Sequence, residues 1–345
     1  MRKLLLGTTA LAAAATLSAN VAVADVSISG YYEWKYQSTS SDITANDGTT
    51  FGNDSEVKVS FTNKTDSGLT VGMAVEMEAD AAGIDESSMF ISGGFGKIVL
   101  GQHDDVGDDY GVSMNDLPGE EIYAGVGDDN DLVLTSADID GLSSDDNKIS
   151  YHLPAMGGLK AGMSFMNSGA AGSADSTVFA ASYSMDAGGA AITIGAASGT
   201  TEASSQDTDS QVMGIEVSSG NITAAVSQST YEAAGTALVA ATANGTASNY
   251  AAAVPATDAS DEESIGAAVS FKVNDGMTIT VHTAETDDAV TTESYSNSGI
   301  ELKYTIASGL TAFLNVEDYD YKAGNSTNNT DNAGTASKFT INASF

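Results

Sequence analysis

Residues Val26 to Tyr36 read VSISGYYEWKY, and the alternation within them decides the fold. Val26, Ile28, Gly30, Tyr32, Trp34 and Tyr36 take one parity, and Ser27, Ser29, Tyr31, Glu33 and Lys35 take the other. A period of two places successive side chains on opposite faces of an extended strand, whereas an amphipathic helix repeats near 3.6. The same phase returns in Leu69, Val71, Met73, Val75 and Met77, in Ile265 to Val273, in Met277 to Val281 and in Ile300 to Ile306. It also ends the chain, where Phe339, Ile341, Ala343 and Phe345 interleave with Lys338, Thr340, Asn342 and Ser344.

Between these runs the connections alternate in kind. Short turns rich in Gly, Asn and Asp, the residues that tolerate positive φ, fall at 65–68, 93–96, 155–158, 186–189, 218–221, 274–276 and 307–309. Long polar loops cover 39–53, 79–86, 103–147, 168–176, 200–209, 232–260, 286–292 and 321–335. Seven turns and eight loops join sixteen strands. An even count with strict alternation predicts an all-β, 16-stranded antiparallel transmembrane barrel, its turns at one rim and its loops at the other.

The composition agrees with a barrel better than with a packed soluble core. Of 345 residues 42% are hydrophobic, but only 7% are aromatic and much of the rest is Ala. There is no Cys, which excludes disulfides, thiolate metal sites and thiol nucleophiles. With 47 acidic against 12 basic side chains the formal net charge is -35, a field that opposes binding to a polyanion such as nucleic acid.

The first residues belong to a leader. Met1-Arg2-Lys3 is basic, Leu4 to Leu17 is apolar, and Ala22-Val23-Ala24 offers small residues before a cleavage point. Residues 1–24 therefore read as a secretory signal peptide and 25–345 as the barrel. Loss of Arg2 and Lys3 leaves ten lysines and no arginine in the mature chain. No later stretch of 18 apolar residues could form a transmembrane helix.

Size decides which face meets lipid. About eight strands make a barrel that side chains can fill, whereas sixteen enclose water, so the polar set is expected to line the lumen. Lys35, Lys58, Lys148, Lys160, Lys272, Lys303 and Lys338 all take the polar phase. Trp34, Tyr36, Phe61, Tyr151, Phe165, Phe271 and Phe345 are expected near strand ends, where an aromatic girdle belongs.

The leader, the sixteen strands, Gly94-Phe95-Gly96-Lys97-Ile98-Val99-Leu100-Gly101-Gln102 before the longest acidic loop, and a last strand ending in Phe345 together resemble the general bacterial porins, most of all the alphaproteobacterial Rhodobacter-type branch. The resemblance implies a homotrimer in the Gram-negative outer membrane, passing ions and small hydrophilic solutes by passive diffusion. It implies a third loop folded into the lumen, outer-membrane lipid around the barrel, and Phe345 as an insertion signal for the barrel assembly machinery. Such porins commonly set arginines opposite the third loop. Here Lys35, Lys58, Lys303 and Lys338, on strands that become neighbours when the barrel closes, are expected as the basic wall.

The third loop carries Asp104, Asp105, Asp108, Asp109, Asp116, Glu120 and Glu121, with Asp128, Asp129 and Asp131 beyond them. An acidic ring in a lumen attracts cations, so a cation-preferring constriction is expected. No cofactor is required. Calcium suits the abundant carboxylates as a structural ion, and Asp138-Ile139-Asp140-Gly141 opens like part of a calcium loop without its full ligand series.

Two other classes compete. A barrel hydrolase needs a His beside an inward Ser, and His152 with Ser150 is the nearest pair; His103 and His282 are the remaining histidines. A secreted calcium-binding surface or adhesion protein would keep the alternation in a soluble sheet. Gly94-x-Gly96 opens a strand and no Ser or Thr follows Lys97, so it is a hairpin and not a phosphate cradle.

Overall fold

The computed structural model describes residues 25–42, 47–78, 83–114, 117, 147–167, 175–202, 207–233, 260–324 and 331–345. The leader expected at 1–24 lies outside them. The alternating runs become β1 (Asp25–Ser41), β2 (Gly48–Lys64), β3 (Thr70–Glu78), β4 (Gly83–Gly93), β5 (Gly96–Gln102), β6 (Asn147–His152), β7 (Leu159–Asn167) and β8 (Asp175–Asp186). They continue as β9 (Ala191–Glu202), β10 (Thr208–Ser219), β11 (Ile222–Ala233), β12 (Ser260–Asn274), β13 (Met277–Asp288), β14 (Ser294–Ala307), β15 (Leu310–Lys322) and β16 (Asn332–Ser344). One short helix, α1 (Val106–Tyr110), follows β5.

Every strand pairs antiparallel with its sequence neighbours, and β1 pairs with β16, so the barrel closes without an edge. The closing ladder runs from Tyr31 opposite Ser344 to Ser41 opposite Gly334. It ends in a mutual pair of backbone bonds, both 3.0 Å, between Gly30 and Phe345. Gly30 is required there: a Cβ would lie 3.3 Å from the Phe345 ring and closer still to the Glu56 carbonyl.

The loops at one end are shorter than the sequence suggests. β1 and β2 each run 17 residues, so the loop expected over 39–53 shrinks to the connection between Ser41 and Gly48. Polar residues at these ends keep extending the ladder, because paired backbone persists where side chains are solvated. The longer β1 also moves Trp34 and Tyr36 away from a strand end. They meet Phe51 instead, with ring centroids 5.5 and 5.4 Å apart.

The two faces separate as expected for a membrane barrel. Ile28, Met163, Phe179, Ile265, Phe271, Ile300 and Tyr304 point outward and are exposed. Lys148, Ser150, Thr280, Glu301 and Thr340 point inward and are buried. One inner sector departs from the polar pattern. Val178, Ala180, Ala197, Val212, Ala225, Ala268 and Ala284 take the inward phase on β8 to β13 and are buried, because the chain after β5 covers them.

Candidate functional site

The segment after β5 turns into the barrel and lies along this apolar sector. Asp105 caps α1, its Oδ1 accepting from the Gly107 N–H at 2.6 Å. Val106 and Tyr110 then pack on Val178, Ala180, Ala197 and Val212, while Met114 packs on Ala225, Ala268 and Ala284. Inward glycines on four strands make room for it. A Cβ on Gly162 would stand 2.8 Å from Val106, on Gly195 2.6 Å from Val112, and on Gly266 2.8 Å from Met114, while on Gly214 it would overlap the Val112 carbonyl. Such spacing leaves no side chain at these positions unless the loop moves.

Serines on the wall hold the loop backbone. Ser164 Oγ accepts from the Val106 N–H and Ser227 Oγ from the Met114 N–H, both at 3.0 Å. Ser270 Oγ donates to the Leu117 carbonyl at 3.4 Å. His103 completes the anchor: Nδ1 lies 2.9 Å from the Gly101 carbonyl and Nε2 2.8 Å from Ser150 Oγ, which is 2.6 Å from Ser164 Oγ. A carbonyl only accepts, so Nδ1 carries the proton and Nε2 accepts from Ser150. The donors therefore run from Val106 through Ser164 and Ser150 to a neutral His103. Burial pushes the His103 pKa down to about 4, and Lys148 and His152 act in the same direction.

The loop acids divide. Asp104, Asp108 and Asp109 are exposed, but Asp105 is fully buried as the helix cap, so its carboxylate is committed to the fold and not to the channel. Asp109 Oδ2 lies 3.6 Å from His152 Nδ1, which Tyr110 Oη also reaches at 2.8 Å. Burial, with Asp109 adding to it, raises the Tyr110 pKa. Asp116, Glu120, Glu121, Asp128, Asp129 and Asp131 lie outside the described residues, as does the stretch from Asp138 to Gly141. Among the described residues no group of three or more His, Asp or Glu side chains is gathered to hold a metal ion.

Opposite the loop, Lys35, Lys58, Lys303 and Lys338 all face inward on β1, β2, β14 and β16, and two of them are paired with acids. Lys35 Nζ is 2.7 Å from Glu33 and 4.0 Å from Asp54, and Lys58 pairs with Glu76. Lys303 Nζ stands 5.2 Å over the Phe313 ring. Strand register places Glu56 opposite Glu78 and Lys58 opposite Glu76 on the same inner face. It also places Glu301 opposite Asn315, which in turn faces Lys338. Alternation places Glu33 beside Lys35 on the inner face of β1, but it does not reveal Asp54 and Glu76 as partners, because pairing across strands depends on register and not on parity.

The three histidines serve structure in this wall. Ser150 bonds to His103 and not to His152, and it is fully buried. His282 Nε2 lies 3.5 Å from Glu317 Oε2 across Gly299, where a Cβ would strike the imidazole.

Comparison with known proteins gives the same architecture. A family model described as Gram-negative porin matches residues 7–324. No curated protein sequence matches the chain. Among solved structures, the trimer form of in-vitro folded OmpT from Vibrio cholerae aligns with a TM-score of 0.66 at 13% identity, over 93% of this chain and 99% of that one. The anion-selective porin from Comamonas acidovorans aligns at 0.62 and 15%, over 93% and 100%. A double mutant of the Rh. blastica porin aligns at 0.59 and 16%, over 93% and 100%. At these identities the likeness is one of fold.

Proposed function

The chain belongs to the Gram-negative porin family, a channel of the outer membrane, and we propose that its lumen passes small hydrophilic solutes and ions by diffusion with a preference for cations. The charge balance opposite the third loop carries this reading. Among the described residues, the carboxylates of Glu33, Asp54, Glu56, Glu76, Glu78, Glu301 and Glu317 share that inner face with Lys35, Lys58, Lys64, Lys303 and Lys338. Exposed Asp108 and Asp109 add negative charge from the loop side. A lumen with excess carboxylate concentrates cations and repels anions.

Two parts of the reading draw on relatives. The working unit is a homotrimer, supported by the trimer form of the V. cholerae protein. Phe345, held by Gly30 at the closing seam, is read as the insertion signal for the barrel assembly machinery.

Reversal potentials in a planar bilayer under a potassium chloride gradient test the ion preference. A potential of the sign set by potassium is expected. A potential of the chloride sign, as in an anion-selective porin, overturns the reading, while absence of any conductance overturns the channel itself.

A further inference from the structure

Strand direction sorts the lumen charges along the channel axis. Odd-numbered strands run from the turn end to the loop end and even-numbered strands return, so position within a strand sets height. Near the turns the inner face carries lysine: Lys64 ends β2, Lys97 and Lys160 are second in β5 and β7, and Lys272 and Lys303 lie toward the ends of β12 and β14. Register sets Lys97 opposite His152, Lys160 opposite Ser182, and Lys272 and Lys303 on either side of Thr278. Asp25, Asp186 and Glu216 share this end of the inner face, and Asp66 and Asp275 stand in its turns. Asp109 of α1 is close by, 3.6 Å from His152. Among the described residues, lysine and carboxylate side chains are therefore nearly balanced at the turn mouth.

The loop mouth is not balanced. Its inner face carries Glu76 and Glu78 at the end of β3, Glu262 near the start of β12 and Asp288 at the end of β13. Asp42, Asp47, Glu293 and Asp331 continue the acid excess beyond the strands. Among the described residues, Lys148 on β6 is the inward lysine at this end, while Lys322 on β15 points outward beside Asp320.

The two mouths are far enough apart to act separately. Lys64 lies eight residues along β2 from Glu56. At about 3.3 Å per residue on a strand tilted by about 45°, they are about 19 Å apart along the axis. Sixteen such strands, about 4.8 Å apart, close a backbone circle of radius about 17 Å. In about 0.1 M salt the Debye length is about 10 Å, so wall charge acts across the water while the mouths stay distinct. In about 1 M salt it is about 3 Å, and the wall is screened.

We propose that this axial gradient makes the channel directional, conducting better when the loop side is positive. Carboxylates hold an excess of cations at the loop mouth. A positive loop side drives these cations toward the turn mouth, where balanced charge also admits anions, which move up the lumen until the acids repel them. Both ions accumulate between the mouths and conductance rises. The opposite field carries cations out through the loop mouth faster than the turn mouth supplies them, because anions share the current there. The lumen is depleted and conductance falls. Directionality rests on the open channel proposed above and not on its overall ion preference: one is a current ratio in equal salt, the other a zero-current potential in a salt gradient.

The test records single channels of the mature protein in planar bilayers with equal potassium chloride on both sides. The chain has no Cys, so streptavidin on a biotinylated Ser308→Cys, in the turn before β15, marks the turn side. In about 0.1 M salt the current with the loop side positive should exceed that with the loop side negative, and the ratio should fall to near one in about 1 M salt. Lys64→Gln, Lys97→Gln and Lys160→Gln, all at exposed positions, together leave the turn mouth acidic. The ratio should then approach one while the reversal potential in a salt gradient moves further toward the potassium value. Lys322→Gln, outward on β15, should leave both near wild type. A wild-type ratio of one in dilute salt, a larger current under the opposite field, a ratio that survives concentrated salt, or an unchanged ratio in the triple variant overturns the proposal. The salt comparison uses no lysine variant, so it stands even if the triple variant fails to fold. A ratio of one beside a reversal potential of potassium sign overturns directionality and leaves the cation preference standing.

Discussion

A Cβ on Gly214 would overlap the Val112 carbonyl oxygen, so the loop backbone lies against the barrel wall where only a hydrogen fits. The seat of the loop is thus built from two sides, by what the loop presents and by what the wall omits. Gly214→Val forces the loop inward, away from β10, or out of its seat. Overpacking of this kind costs about 1–3 kcal/mol. Denaturant titration of the refolded barrel should show that loss, and single-channel conductance should change with it. Unchanged values for both would mean that the loop is not held here.

Ser227→Ala removes the acceptor of the Met114 N–H, which is otherwise buried. A buried donor left without a partner costs about 1–3 kcal/mol. That energy should appear in local opening of the loop, read as faster amide exchange at Met114, with little change in the strands. Exchange that stays slow would assign the anchor to packing of Met114 alone.

Acid should release the first anchor. His103 accepts from Ser150 as a neutral ring, and its pKa is lowered from 6.5 to about 4 by burial. A group whose folded pKa lies below its unfolded value contributes stability that is present above the unfolded pKa and lost as pH falls. The anchor is therefore intact above about pH 6.5 and weakens progressively toward pH 4. Lys148, His152 and Asp109 surround the ring, and Asp109 opposes the other two. Conductance recorded from pH 7 to pH 4 should change in the wild type by more than in His103→Gln; superimposable profiles would remove His103 from the response.

Breaking the carboxylate partners of the lumen lysines should move selectivity. Glu33→Gln and Glu76→Gln together leave Lys35 and Lys58 without their closest acids. The reversal potential should then shift toward the chloride value. Glu285→Gln, which removes an acid from the outer face, should leave it near the wild-type value. Equal shifts in both variants would show that bulk charge, not the lumen, sets the preference.

The two faces of β14 should respond oppositely to charge. Ile300 is outward, exposed and central in the strand, so Ile300→Lys should cost about 2–4 kcal/mol in a bilayer. Thr305→Lys, on the inner face of the same strand, should be tolerated. Urea titrations of folding into vesicles compare the two directly, and equal costs would contradict the assignment of faces.

Much of this was legible in the residues themselves. The parity of Val26 to Tyr36 and of Phe339 to Phe345 set strand type and face, and the alternation of Gly-containing turns with polar loops set the number of strands. Lysines on the polar phase told water from lipid. These are local properties, carried by a period of two and by turn chemistry. Ladder length was less legible, since the polar ends of β1 and β2 pair as strand although their side chains resemble loop.

The site was legible only in part. The acidic third loop announced itself, yet nothing in the sequence marked Gly162, Gly195, Gly214 and Gly266 as its seat, because an inward Gly in a strand looks like any other Gly until the loop meets it. Asp105 looked like its neighbours and became a cap. Lys35 and Lys58 face inward as expected, and each is paired with an acid, Glu33 and Glu76. By itself the sequence determined a sixteen-stranded acidic barrel with its faces assigned, because alternation acts between adjacent residues. Only the tertiary structure decided which groups meet across strands and where the loop lies, because register and closure join residues up to hundreds of positions apart, such as Gly30 and Phe345.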